Sequence, residues 1–303
     1  MKFKTIAICI LMAALTLTIS AAARAGEVRT EKDITYTKVG DMEIKGNLII
    51  PEGKGPFAGV IFIHGGGFVA GSKDFEAQAK VAKLIAENGF LVFNVNYRLI
   101  QEGGVLPNST YDVKCAVCWF KKNGVKYGLD PKRVGVMGES AGAYLAAMLD
   151  ETGGMPQFAA QSPIAKDCDD SVVAAVAVYP PTDFNTFNNN LSRMIKNEMM
   201  RAGKLKSSDK EIIKKYMAEQ SPVTYVKTAN PILILHGAND ILVPVTQSRE
   251  FYKALKDAGR DAEYYEFKDA PHGFISEKPD LEATKSARKL TLEFLKKYLE
   301  PTK

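Results

Sequence analysis

Ser140 lies in a segment whose residue types favour nucleophilic chemistry. The stretch Gly138-Glu139-Ser140-Ala141-Gly142 follows an apolar run that starts near Arg133 and precedes a run of alanine, leucine and methionine. This pattern predicts a buried strand, a tight turn and a helix, which would hold the serine hydroxyl outward. The backbone N–H of Ala141 would then lie at a helix N-terminus, where it can donate to a developing oxyanion. We therefore predict that Ser140 is a nucleophile.

A serine hydroxyl needs a base, and a histidine base needs a carboxylate that fixes its tautomer. The chain contains three histidines. His64 lies in a glycine run and His236 ends an apolar run, so both are predicted to be structural. His272 lies in a turn-rich loop and is the predicted base. Asp240 follows the predicted strand at 232–236 and is the predicted carboxylate, because side chains that do chemistry collect where parallel strands end.

The glycine run His64-Gly65-Gly66-Gly67 directly follows another apolar stretch. Three glycines in series are also compatible with a simple flexible loop. A loop that follows a buried strand and frees its N–H groups nevertheless suits an oxyanion hole. We predict that the hole is formed by the amides of Gly66, Gly67 and Ala141.

The elements that must position these residues follow a regular order. Two leading strands at 34–39 and 42–50 precede six apolar strands that alternate with helices, which is typical of an α/β protein. The predicted fold is a mostly parallel, eight-stranded, doubly wound sheet in a single domain over 26–303. Residues 183–228 break the alternation and are predicted to form a small cap-like helical insertion.

The insertion contains several large apolar side chains. We expect them to set the preference for acyl chain length, because apolar, methionine-rich surfaces adapt to ligands. The alternative, that they simply pack the insertion onto the domain, is equally compatible with the sequence. The residues concerned are Phe184, Phe187, Met194, Met199 and Met200.

The N-terminus differs in composition from the rest of the chain. Lys2 and Lys4 precede a short apolar run and the small-residue pattern Ala23-Arg24-Ala25, as in a secretory signal peptide over residues 1–25. Removal of this segment lowers the net charge from +5 to +2, which leaves no broad basic surface for nucleic acid. We therefore expect a secreted or periplasmic protein without stable membrane insertion after cleavage.

Cys115, Cys118 and Cys168 follow the predicted cleavage site. The Cys115-x-x-Cys118 spacing is compatible with a redox pair or half of a metal site, but both residues fall in an apolar helical stretch without a second pair. We expect buried free thiols, and we expect no metal or cofactor.

The chain resembles the α/β-hydrolase superfamily over about residues 34–300. Within it, the chain is most similar to the branch with a His-Gly-Gly-Gly loop, which includes hormone-sensitive-lipase-like and bacterial carbohydrate-acetyl-esterase-like enzymes. The segments that carry this resemblance are His64-Gly65-Gly66-Gly67-Phe68, Gly71-Ser72, Asn96-Tyr97-Arg98-Leu99, Asp130-Pro131-x-Arg133, Gly138-Glu139-Ser140-Ala141-Gly142, Tyr179-Pro180-Pro181-Thr182-Asp183-Phe184, Ser221-Pro222-Val223, His236-Gly237-Ala238-Asn239-Asp240, Val243-Pro244 and His272-Gly273-Phe274.

The resemblance implies a serine carboxylester hydrolase that uses Ser140, Asp240 and His272. We expect it to act on short-acyl, acetyl-like esters of a small molecule or a carbohydrate. The chain departs from the family at Ala143, where a further glycine is common, and it shows no large helical cap before the first strand. A serine peptidase of the same fold and a xenobiotic carboxylesterase share this machinery and remain alternatives. A non-catalytic binding protein on the same scaffold is disfavoured because no member of the triad is missing.

Overall fold

The computed structural model describes residues 27–159, 162 and 167–300, so the predicted signal peptide lies outside the described residues. The chain folds around one eight-stranded sheet with the strand order β1-β2-β4-β3-β5-β6-β7-β8. Strands β1, β2 and β4 pair antiparallel, and the remaining neighbours pair parallel. The strands are β1 (Arg29–Val39), β2 (Met42–Ile50), β3 (Phe57–Ile63), β4 (Leu91–Val95), β5 (Leu129–Glu139), β6 (Ala175–Val178), β7 (Ile232–Gly237) and β8 (Ala262–Phe267).

Helices cover both faces of this sheet. Along β3, Ile61 and Ile63 pack with the apolar cluster on one face and Val60 and Phe62 with the cluster on the other, as the alternation of a strand requires. This confirms the predicted fold class. The helices are α1 (Glu76–Glu87), α2 (Asn108–Asn123), α3 (Ala141–Glu151), α4 (Asn190–Ala202), α5 (Lys210–Glu219), α6 (Thr246–Asp257), α7 (Phe274–Glu277) and α8 (Glu282–Leu299).

The two faces carry different helices. Apolar residues of α2, α3 and α6 join one core cluster with the insertion helices α4 and α5, while residues of α1, α7 and α8 join the other. Residues 183–228 therefore cover the same face as the helix that follows Ser140. The predicted insertion lies beside the carboxyl ends of the parallel strands, where the candidate residues collect.

One sequence prediction about the cysteines is wrong. Cys118 and Cys168 form a disulfide whose Cα atoms are 5.7 Å apart, and only Cys115 remains a buried free thiol. The bridge holds the segment after α3 against α2, where ion pairs Lys114–Asp170 at 2.9 Å and Lys121–Asp169 at 2.6 Å also join the two. The spacing of the cysteines in the sequence could not reveal this pairing, because it depends on the packing of residues 50 positions apart.

We expect the double substitution Cys118→Ser with Cys168→Ser to lower the free energy of unfolding by about 2–4 kcal/mol, since the bridge limits the unfolded chain. Thermal unfolding with and without dithiothreitol measures this effect. The reductant should lower the Tm of the wild type and leave that of the double variant unchanged. Cys115→Ala keeps the bridge, so the reductant should still lower its Tm. An unchanged Tm of the wild type in dithiothreitol would contradict the disulfide.

Candidate active site

Ser140 lies on the turn between β5 and α3. Its φ of 55° and ψ of −117° place a residue with a Cβ in the left-handed region, a strained conformation typical of functional turns. The turn is closely packed, because a Cβ on Gly138 would overlap the carbonyl of Gly142. The Ser140 N–H donates to the carbonyl of Val178 on β6 at 2.9 Å, which fixes the turn to the neighbouring strand.

The three residues predicted as a triad are brought together. The Ser140 hydroxyl lies 3.0 Å from Nε2 of His272, and Nδ1 of His272 lies 2.6 Å from Oδ2 of Asp240. With Nδ1 donating to the carboxylate, Nε2 is free to accept the serine proton. This arrangement can activate the hydroxyl as a nucleophile.

Asp240 is held in its ionised form. Burial alone would raise the pKa of its carboxyl, but hydrogen bonds from His236, His272 and the Val243 amide keep that pKa well below its usual range. Its second oxygen, Oδ1, accepts the N–H groups of Leu242 at 2.9 Å and Val243 at 2.8 Å. Two backbone amides of the loop after β7 thus hold the carboxylate in place.

The other two histidines have structural surroundings. His236 is fully buried, with Nδ1 2.7 Å from the Ser248 hydroxyl and Nε2 3.0 Å from the Val243 carbonyl. His64 stacks on Tyr97 with ring centroids 4.5 Å apart, and burial lowers its pKa to about 4. A neutral, stacked His64 supports the glycine loop that follows β3.

The glycine loop lies opposite the Ser140 turn. Gly66 has a φ of +123°, and its carbonyl accepts the N–H groups of Val69 and Ala70 at 3.1 and 3.0 Å. Within the part of the chain that the structure describes, the amides of Gly66 and Gly67 donate to no protein acceptor. Ala141 is the first residue of α3, so its N–H has no partner inside the helix. These are the three amides predicted to hold an oxyanion.

Ser140, His272 and the glycine loop open onto a cavity of 440 Å³. Its apolar wall includes Leu191 from α4, whose side chain packs against Gly67, and Leu242 from the loop after Asp240. The Glu277 side chain lies beside Gly273, next to His272, and the exposed ring of Phe75 also lines the cavity. The lining residues are Gly65, Gly66, Gly67, Val69, Ala70, Gly71, Phe75, Gln78, Ser140, Tyr179, Leu191, Leu242, His272, Gly273 and Glu277.

The apolar residues predicted to shape this cavity do not line it. Phe184, Phe187 and Met199 are buried in the core, Met200 packs against that core, and Met194 is 37% exposed. Apart from Met194, these residues fit the alternative prediction, that they pack the insertion onto the domain, because their side chains join the core beneath it. Leu191 reaches the cavity instead. No local signal in the sequence distinguishes it from its apolar neighbours.

A comparison with protein-family models places residues 47–255 of the chain in the family described as BD-FAE. The chain belongs to the BD-FAE family. Esterase LipC of Mycobacterium tuberculosis is 30% identical over 217 residues, which are 71% of this chain and 52% of LipC. Arylacetamide deacetylase of Oryctolagus cuniculus is 34% identical over 123 residues, 39% of this chain and 31% of that protein. The chain spans about half the length of the first curated relatives it matches.

Solved structures confirm the α/β-hydrolase fold of this BD-FAE member. The native esterase Est2 of Thermogutta terrifontis superposes with a TM-score of 0.72 at 23% identity, covering 93% of this chain and 96% of its own. A truncated carbohydrate esterase from gut microbiota superposes with a TM-score of 0.76 at 22% identity, covering 89% and 97%. Together with the family match and the esterase relatives, this confirms the predicted resemblance to the superfamily.

Among residues 27–159, 162 and 167–300, no group of three or more histidine, cysteine, aspartate or glutamate side chains could hold a metal ion. In the same residues, none of the helices combines the length and the apolar character needed to cross a bilayer.

Proposed function

We propose that this BD-FAE member is a serine esterase that hydrolyses esters of short acyl groups through an acyl-enzyme on Ser140. The observation that carries the proposal is the continuous contact from Ser140 through His272 to Asp240 at the wall of an apolar cavity. Membership of the BD-FAE family supports it.

The proposed reaction begins when the Ser140 Oγ attacks the ester carbonyl and His272 accepts the hydroxyl proton at Nε2. The carbonyl oxygen becomes an oxyanion, which the amides of Gly66, Gly67 and Ala141 stabilise. His272 then returns the proton to the departing alcohol, which leaves the acyl group on Ser140. A water molecule, deprotonated by His272 in the same way, releases the acid and restores the serine.

The two ends of the cavity suggest where each half of the ester binds. Leu191 and Val69 form the apolar wall near Gly67, a place suited to a small acyl chain. The alcohol must lie beside His272, which protonates it, and the carboxylate of Glu277 lies there, close to Gly273. The exposed ring of Phe75 also lines the cavity. A hydrogen-bond acceptor and an aromatic ring in one lining suit a hydroxyl-rich alcohol, so we propose a carbohydrate as one substrate class.

We expect activity on p-nitrophenyl esters to peak between acetyl and butyryl and to fall steeply by octanoyl. Each methylene that extends beyond the pocket forgoes burial of about 0.8 kcal/mol. Steady-state kcat/KM across the series from acetyl to decanoyl measures this, beside acetyl release from acetylated xylan. A maximum at decanoyl would contradict the short-acyl proposal, and intact xylan esters would contradict the carbohydrate part.

Leu191→Ala should move the preference towards longer chains. Removing this side chain from the wall should raise the ratio of kcat/KM for hexanoyl to acetyl esters on the order of tenfold. Met194→Ala is the matched control, because Met194 lies on the same helix and does not line the cavity. Equal ratios in both variants would show that α4 does not form the acyl wall.

We further propose that the protein is secreted or periplasmic after cleavage behind Ala25. The Cys118–Cys168 disulfide supports an oxidising compartment. The intact mass of protein recovered from cell fractions of the native host tests this, since a mature chain that begins at Gly26 is expected outside the cytoplasm. Uncleaved protein in the cytoplasmic fraction would contradict it.

A further inference from the structure

Glu139, the residue before the nucleophile, is fully buried. The hydroxyls of Tyr179 and Ser276 both donate to its Oε2, at 2.6 and 2.8 Å, and the Gln78 amide lies 3.5 Å from the same oxygen. The reaction proposed above uses none of these four side chains. A buried carboxylate is costly to maintain, so its place beside Ser140 requires an explanation.

Each partner of Glu139 leads to a different part of the candidate active site. The Tyr179 ring packs against the imidazole of His272, with centroids 4.4 Å apart. Ser276 belongs to α7, the short helix that begins two residues after His272. Gln78 accepts the N–H of Gly65 at 3.1 Å and so fixes the start of the glycine loop. One carboxylate therefore connects the base and the oxyanion loop.

The hydrogen bonds fit the ionised form of Glu139. Two hydroxyl donors converge on Oε2, and a proton on that oxygen would compete with them. Burial raises the pKa of this carboxyl above its ordinary value, and hydrogen bonds from Tyr179, Ser276 and Gln78, together with the attraction of His272 once it is charged, offset only part of that rise. Oε1 is buried and has no hydrogen-bond partner among the described residues. The hydrogen-bond donors thus converge on one of the two carboxylate oxygens.

We propose that Glu139 is a positioning residue that also supplies a second buried negative charge for His272, beside that of Asp240. This inference rests on the proposed esterase function. His272 is neutral before attack and becomes a cation when it takes the proton from Ser140. The charge of Glu139 therefore gains its partner at the transition state, and an interaction that is stronger there than in the ground state accelerates the reaction.

Other charged groups lie around His272 and Glu139. Asp240 contacts Nδ1 from the loop after β7, and Glu277 of α7 lines the cavity but is exposed. On α8, the positive charge of Arg288 attracts the carboxylate of Glu139. Its guanidinium donates a hydrogen bond to the carbonyl of Ile275 at 2.7 Å. Water screens Glu277 more strongly than Glu139, because only Glu139 is fully buried.

The test is Glu139→Gln, which keeps the shape of the side chain and removes its charge. We expect kcat on p-nitrophenyl acetate to fall about tenfold or more with little change in KM. Loss of a negative charge near an imidazolium lowers its pKa, so the acidic limb of the kcat/KM profile should move to lower pH by about half a unit or more. A purely structural role would lower kcat without moving this limb.

Two further variants complete the test. Glu139→Asp retains the charge and should return the limb towards the wild-type position even if kcat stays low. Glu277→Gln removes an exposed charge, so any shift should be smaller and should vanish in high salt. Titration of reactive Ser140 with an organophosphate corrects every rate for misfolded protein. An unmoved limb in active Glu139→Gln would overturn this inference alone, whereas wild-type rates in Ser140→Ala would overturn the esterase function itself.

Discussion

Ser140→Ala should reduce ester hydrolysis by a factor on the order of 10⁶, the loss seen when a serine nucleophile is removed from a triad. Oγ lies 3.0 Å from Nε2 of His272, and no other hydroxyl contacts that nitrogen among the described residues. Alanine has a Cβ like serine, so the strained backbone of the turn should cost both residues the same. The Tm should therefore stay close to that of the wild type. The measurement is kcat on p-nitrophenyl acetate.

Covalent labelling separates a chemical effect from a folding effect. An organophosphate should add one mass increment to the wild type, on the peptide that contains Ser140, and none to the alanine variant. Activity in Ser140→Ala near that of the wild type, or labelling on another residue, would show that the nucleophile has been assigned wrongly.

Asp240→Asn should lower kcat on the order of 10⁴-fold, by analogy with the serine-protease carboxylate. The Leu242 and Val243 amides donate to Oδ1, so the carbonyl of the new amide is expected to stay there. Its NH₂ group would then face Nδ1 of His272. An amide donor at this place favours the tautomer with the proton on Nε2, which cannot accept the proton of Ser140.

The control for this variant is Asp269→Asn, an exposed acid in the loop that carries His272. It should keep kcat near the wild-type value. A loss below tenfold in Asp240→Asn would indicate that another carboxylate orients the imidazole. The Tm of both variants is needed as well, because Asp240 also lies 3.3 Å from the buried Nε2 of His236.

The order of strands and helices could be predicted because apolar runs and helical spacing are local properties. The residues at which the strands begin and end could not be predicted in the same way. β1 begins at Arg29, well before the predicted start, because its pairing with β2 continues across a register shift near Asp33, a residue with positive φ. β5 likewise begins at Leu129, before the apolar run near Arg133 from which it was predicted, because the Asp130-Pro131 stretch still belongs to the strand.

The residues of the candidate site that belong to sequence motifs could be predicted. Ser140, Asp240 and His272 follow strand ends, and the structure brings them into contact; their catalytic roles stay predictions. Glu139 was visible only as the variable position of its motif, since its partners come from α1, from the residue that follows β6 and from α7. The Cys118–Cys168 pair and the place of Leu191 likewise depend on tertiary packing, which leaves no local pattern.

The crowding around Gly66 has a consequence for engineering and for evolution. A Cβ there would overlap the carbonyl of Ala70, so a substitution must displace main chain in the loop predicted to bind the oxyanion. The Leu191 and Leu242 walls are made of side chains, which can be exchanged without moving the backbone. Mutant libraries aimed at new substrates should therefore leave the glycine loop untouched and randomise these walls, and natural relatives are free to diverge in specificity while the reaction stays constant.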